Sequence, residues 1–319
     1  MSFKTPVLFL IFNRPDITGR VFNEIRKLQP AQLFIAADGP RANYPGEEEN
    51  CTLTRQMVLN NIDWPCEVKT LFRDKNLGCG KAVWEAITWF FDHVEEGIIL
   101  EDDCLPDNTF FCFCENLLER YRHNNEVMHI GGANFQNKNL NIKHSYYFSN
   151  YIHIWGWATW KRAWELYDFA IPHHFDQSFT GILKKKFPKT AEFDFWTKSF
   201  TAMAGQAIDT WDIQWSYSVY KNNGIGITPA LNLISNIGFG PEATHTHSFD
   251  PNVTAIPLNS INEIKHPEVI KINTKADAYT FKKLFGRGTT GFDRIKFKIG
   301  KKIPLIKRVY LKTIGKKAQ

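Results

Sequence analysis

The stretch GIILEDDCLP, Gly97 to Pro106, ends an apolar run on three adjacent carboxylates, Glu101, Asp102 and Asp103. Like charges packed this closely repel one another and raise their own pKa values unless something positive stands nearby. A hard divalent cation, Mn2+ or Mg2+, is the simplest partner, since such ions take carboxylate oxygens and keep places for water or phosphate. A solvated turn beside a helix start is the plainer alternative. Asn13-Arg14-Pro15 and Asp38-Gly39-Pro40-Arg41 each follow an apolar run, and read either as ordinary turns or as loops that meet a ligand. Asn76 to Lys81 precedes a helical pattern, so its backbone N–H groups and Lys81 could face a phosphate. The spacing of a P-loop and its Ser or Thr are absent there, and no G-x-G-x-x-G follows the first apolar run, which argues against a P-loop ATPase and a nicotinamide dehydrogenase.

Two further pieces are aromatic. Trp155-Gly156-Trp157-Ala158-Thr159-Trp160 is either core packing at helical spacing or, at Gly156, a place where backbone approaches a ligand closely. Trp211-Asp212 opens a predicted helix, so Asp212 reads as an N-cap or as a positioned base beside a ring able to pack on a sugar. His245, in Thr244 to His247, is a structural histidine or an additional ligand for a metal held by the acids.

Elements that could bring these residues together alternate from the start. VLFLIF, QLFIAADG, EVKTLF, GIILEDD and VMHIGGAN read as strands, with helices expected after Asp16, after Pro45, from Gly80 to His93 and after Asp107. Five β units with four intervening helices predict an α/β fold with a mainly parallel sheet flanked by helices. Ile98, Ile99 and Leu100 are apolar on both faces, as a buried parallel strand requires. The first, second and fourth strands then point Arg14, Asp38 and Glu101–Asp103 at one rim, the edge where open α/β sheets bind ligands. From about Asn137 the alternation gives way to aromatic-rich loops and helices, and three prolines between 251 and 267 read as a loop-rich linker.

Composition narrows the function classes. A chain of 319 residues with 43% hydrophobic and 23% charged residues has an ordinary globular balance. Aromatics at 14% exceed what a core requires, which hints at platforms for sugars or bases. Thirteen Lys or Arg against one acid fall between Phe281 and Gln319, leaving the other 280 residues at −6. An acidic body argues against nucleic acid as a partner. The tail interleaves apolar with basic residues and is expected on an anionic membrane surface, with packing on its own body as the alternative. No secretion signal and no apolar run of about 20 residues is visible, so a cytoplasmic protein, peripheral on the inner membrane face through that tail, is expected. Six cysteines without a C-x-x-C pair read as reduced thiols.

Taken in order, NRP, DGP, EDD, GWATW, WD and the late THT resemble the GT-A nucleotide-sugar glycosyltransferases. Within that group the chain looks like the branch around eukaryotic N-acetylglucosaminyltransferase I and its bacterial capsule and lipopolysaccharide relatives, over roughly residues 6 to 247. The resemblance implies a GT-A, Rossmann-like domain over residues 1–250, with a nucleotide-binding half (1–136) and an acceptor half (137–250). A linker (251–280) and a basic amphipathic tail (281–319) follow. It implies a metal-dependent, inverting transfer of a hexose or N-acetylhexosamine from a UDP-sugar to a glycan or lipid-linked acceptor in surface polysaccharide biosynthesis. Carried over residue by residue, Asp103 binds Mn2+ or Mg2+ with His245 as the late ligand, and Glu101 and Asp102 approach ribose and sugar. Arg14 and Asp38 match its nucleotide-contacting positions, Gly156 lies in the acceptor-side loop, and Asp212 is the catalytic base; Asn13, Lys81 and Trp211 are expected, from their own places in the sequence, to contact the nucleotide-sugar as well. The branch has two adjacent acids after its Trp where this chain has Asp212-Ile213, so the base rests on one residue. The rival readings are a sugar-nucleotidyltransferase, whose glycine-rich first loop is missing here, and a non-catalytic carbohydrate-binding protein.

Overall fold

The computed structural model describes residues 3–136, 142–205, 208–239 and 256–285. The five expected strands and four helices are present: β1 Val7–Ile11, α1 Pro15–Leu28, β2 Gln32–Ala37, α2 Glu47–Asn60, β3 Glu67–Phe72, α3 Cys79–Phe91 and β4 Glu96–Glu101 come first. A short β5 Cys104–Pro106, α4 Asn108–Tyr121 and β6 Val127–Gly131 follow. The remainder forms β7 Tyr146–Ser149, β8 Trp157–Trp160, α5 Lys161–Trp164, α6 Gln177–Lys186, α7 Thr190–Ala204, α8 Asp212–Lys221, β9 Ile225–Pro229, β10 Ile234–Asn236 and α9 Thr274–Thr280.

Eight strands make one sheet in the order β3-β2-β1-β4-β8-β6-β9-β7. β1 pairs in parallel with β2 on one side and β4 on the other, and β7 and β8 run antiparallel to their neighbours. The chain therefore winds outward through β1, β2 and β3, then returns to the other side of β1 to lay down β4. The crevice between the carboxyl ends of β1 and β4 is a topological switch point.

Alternation along the central strands divides the core. Val7, Phe9 and Ile11 of β1 with Ile98 and Leu100 of β4 meet α1 and α4 on one face, while Leu8, Leu10 and Ile99 meet α3, α7 and α8 on the other. Both faces are covered, which is why these strands are continuous apolar runs. α1 starts at Pro15, where the missing N–H is no loss, and buries Thr18, Val21, Phe22 and Ile25 along one stripe. Asp107 caps α4 by accepting from the Thr109 N–H at 2.9 Å.

Two expectations need correction. GWATW is not a helix start: Trp157–Trp160 forms β8, wedged between β4 and β6. Trp157, Trp160 and Trp164 mimic a helical period, but only the last belongs to the helical turn that follows. Together with β7 and β9, this strand places part of the aromatic-rich region in the central sheet. Residues 256–280, expected as a linker, pack against the body. The Asn259 N–H bonds the Asn232 carbonyl at 2.8 Å, the Ser145 N–H bonds the Lys265 carbonyl at 2.9 Å, and Ile272 bridges Phe148 on the edge strand. Asp277 of α9 is buried and accepts from Ser149 Oγ (2.6 Å) and the Asn150 N–H (3.1 Å). Phe281–Phe285, the start of the expected tail, is a π-helical turn whose Phe285 stacks on Tyr151 and packs on Phe195. The rest of the tail, 286–319, lies outside the described residues. Among the described residues no helix is long and apolar enough to cross a membrane.

Candidate active site

Strand register builds the rim. Leu10 pairs with Glu101 and Ile11 with Ala37, so Arg14, Asp38 and the three acids leave the sheet at one level. The positive charge that the acids require comes from the chain itself. Arg14 forms a fork on Asp102, with Nη2 on Oδ1 and Nε on Oδ2 (3.3 Å), and Nη2 also reaches Asp103 Oδ2 at 3.1 Å. Thr18 Oγ1, one turn into α1, adds a bond to Asp102 Oδ2 at 3.4 Å. Asn236 Nδ2, at the end of β10, donates to Asp103 Oδ1 at 3.2 Å.

Next to them, Glu101 Oε1 is buried without a hydrogen-bond partner. Burial, together with the charges of Asp103, Asp102 and Asp212, pushes the Glu101 carboxyl up to about 8. Burial also raises Asp102, although Arg14 works in the opposite direction. Asp212, the first residue of α8 rather than its N-cap, is brought to this group from the far end of the chain, with Thr210 Oγ1 donating to its Oδ1. The structure thus bonds Arg14 to Asp102 and Asp103, sets Glu101 beside them, and brings Asp212 near enough for its charge to act on Glu101.

The loop that delivers Asp212 is anchored unexpectedly. Asp209 accepts from the Cys79 N–H (2.9 Å) and the Gly80 N–H (2.7 Å), so the N-terminus of α3, read from sequence as a phosphate seat, holds a carboxylate from about 130 residues away. A Cβ on Gly80 would lie 2.8 Å from Asp209 Oδ1 and 2.9 Å from the Thr210 carbonyl. We therefore expect Asp209→Ala to cost about 1–2 kcal/mol of stability, as a lost cap does. Thermal melts of this variant check the cost, and an unchanged melting temperature would show that Asp209 is not a stabilising cap.

Other expected contacts resolve into scaffolding. Asp38 accepts from the Leu77, Gly78 and Gly39 N–H groups and holds the turn that starts α3. Asn13 is tied to Glu47 at 2.8 Å, which also receives Arg41. Lys81 lies along its own helix, 3.6 Å from Glu85. Trp211 is 1% exposed and stacks on Trp157, which closes it to a sugar. Its neighbours Trp164 and Trp215 complete an aromatic core in which Trp215 Nε1 donates to His129 Nδ1. The aromatic excess is therefore largely interior. Gly156 has φ +56°, and a Cβ there would lie 2.7 Å from Ile234 Cγ1, so packing of β10 requires this glycine. His245 lies outside the described residues.

As a metal seat, Asp103 does not fit in this arrangement. Both its oxygens and both those of Asp102 already have protein donors, and among the described residues no three His, Cys, Asp or Glu side chains form a group able to hold a metal. Sequence reasoning missed Thr18 and Asn236. The first was visible as the next inward position of α1 after Arg14; nothing local marks the second.

Neither a family model nor a curated protein matches the chain. Among solved structures it is similar to S. aureus TarS 1–349 at 12% identity and a TM-score of 0.35, covering 64% of this chain and 55% of that one. A cytidylyltransferase from Leptospira borgpetersenii is similar at 12% identity and 0.32, over 52% and 63%. The glycosyltransferase GlyE of Streptococcus pneumoniae is similar at 11% and 0.28, over 63% and 43%. The chain spans about half the length of the first and last of these. Likeness at this level decides nothing about activity.

Proposed function

We propose that the chain is an inverting glycosyltransferase that moves a hexose or N-acetylhexosamine from a UDP-sugar to a hydroxyl of a glycan or lipid-linked acceptor. The observation that carries this reading is the Arg14–Asp102–Asp103 cluster at the β1/β4 switch point, with Asp212 delivered to its edge by a separate element. Uridine and the sugar class come from the motif resemblance.

In this reading Asp212 accepts the acceptor hydroxyl proton as its oxygen bonds the anomeric carbon. The bond from that carbon to the phosphate oxygen breaks with its electron pair, and UDP leaves. Arg14 holds its guanidinium where the departing negative charge develops, a preorganised electrostatic role. Asp102, Asp103, Thr18 and Asn236 keep the guanidinium from turning away. Burial of most of the Trp rings weighs against a non-catalytic sugar binder. Titration calorimetry with UDP tests the proposal: one site per chain is expected, weakened by Asp102→Asn, and no binding of any nucleoside diphosphate would end it.

The basic tail is proposed to hold the enzyme on anionic lipid beside a lipid-linked acceptor. Because Phe281, Leu284 and Phe285 pack on the body, removal of 286–319 is the truncation that spares the core. Loss of salt-sensitive flotation with anionic vesicles is the expected result; equal flotation of both forms would exclude the tail.

A further inference from the structure

We infer that Arg14 takes the place of the divalent cation, so that the diphosphate site, on the reading proposed above, works without a metal. Four carboxylate oxygens are accounted for by protein donors. Asp102 Oδ1 and Oδ2 receive Arg14 Nη2 and Nε, Asp102 Oδ2 also receives Thr18, and Asp103 Oδ2 and Oδ1 receive Arg14 Nη2 and Asn236 Nδ2. A hard cation demands several oxygens at once in near-octahedral or higher coordination, and each of the four on Asp102 and Asp103 must first lose a charge-assisted or neutral hydrogen bond.

Arginine suits the substitution. Its guanidinium keeps its charge at any physiological pH, and its planar fork matches both carboxylate and phosphate. The side chain is 15% exposed, so the charge is neither solvated away nor sealed off. Nη1 makes no hydrogen bond among the described residues. Gly238 passes so close that a Cβ would stand 2.8 Å from Nη1 and 2.7 Å from Asp103 Cβ. Any side chain at 238 would collide with the cluster. The Gly238 N–H is turned onto Asn236 Oδ1 at 2.9 Å, which fixes this glycine beside the residue that steadies Asp103. Arg14 thus has two nitrogens committed to the acids and a third that makes no hydrogen bond among the described residues, with Gly238 passing beside it.

The test is a Mn2+ titration of the full chain, read by loss of the free-ion electron paramagnetic resonance signal, with UDP calorimetry in Mn2+ and in EDTA. Wild type should take up no stoichiometric Mn2+, and its UDP affinity should agree within about twofold with and without the metal. Arg14→Gln should weaken UDP at least tenfold and gain one Mn2+ site on the released acids; Arg14→Lys, which keeps a charge and guards against a misfolded Gln variant, should still exclude Mn2+. Uptake of one Mn2+ per wild-type chain, or UDP binding only in its presence, would overturn the inference. Failure of UDP to bind in either buffer would remove the glycosyltransferase reading, while the Mn2+ titration of wild type and Arg14→Gln would still decide whether the arginine replaces the ion.

Discussion

On the proposed function, Asp212→Asn should lower sugar transfer by about 10²- to 10⁴-fold, the range expected on removing a positioned general base, while UDP affinity should stay within about twofold. The separation follows from where Asp212 sits. It opens α8 and is held by Thr210, on an element distinct from the strands that carry Arg14 and the acids. Asparagine keeps the oxygen that receives the Thr210 hydroxyl, so the loop keeps its shape and only proton acceptance is lost. Steady-state kinetics with saturating donor read the loss in kcat. Near-normal turnover, or a wild-type product with the donor's anomeric configuration retained, would remove Asp212 from the mechanism.

Glu101→Gln stabilises the protein. Glu101 is held at about 8 by burial and by three neighbouring carboxylates, well above the usual carboxylate range near 4.3 in an unfolded chain. The folded state therefore binds this proton more tightly than the unfolded state does. Stability is fully present below about pH 4 and falls as pH rises towards 8. Gln carries no such cost. The two proteins should melt together near pH 4, and by pH 8 the variant should be more stable by about 2–4 kcal/mol, below the limit set by the full shift. Asp277, pushed up to about 6 by burial, leaves a smaller decline of the same sign in both proteins, ending near pH 6. Denaturant melts across pH 4–8 in chelator check this, and an unchanged slope in Glu101→Gln would show that Glu101 is not the strained group. Destabilising charge gathered where ligands bind is what function commonly demands of an otherwise well-packed fold.

Much of the rim was legible before the structure. Continuous apolar runs identified β1, β2 and β4, and the polar residues just past each run had to share an edge once the strands were parallel. What the acids face was not legible, because Arg14 lies 88 residues from Asp102 in sequence and the pairing depends on β1 and β4 being neighbours. The mutual repulsion of Glu101, Asp102 and Asp103 reads from sequence as a demand for positive charge, and Arg14 supplies that charge at Asp102 and Asp103. Asp209 went unseen as a cap for the same reason: its donors at Cys79 and Gly80 are on another element. β8 was misread because four residues are too few to show alternation, and Trp157, Trp160 and Trp164 supply a false helical period. Residues 256–285 hold themselves to the body through scattered backbone bonds and one buried carboxylate, which leave no periodic trace.

The most direct test of the central claim offers the full chain a panel of UDP-sugars, and separately UTP or CTP with sugar 1-phosphates, with free nucleoside diphosphate and pyrophosphate measured in parallel. A transferase built on the Arg14 cluster and Asp212 should release UDP from one UDP-sugar, slowly to water and faster once an acceptor is supplied, and should form no pyrophosphate. Pyrophosphate release from a nucleoside triphosphate without UDP release from any UDP-sugar would contradict the account and make the chain a nucleotidyltransferase.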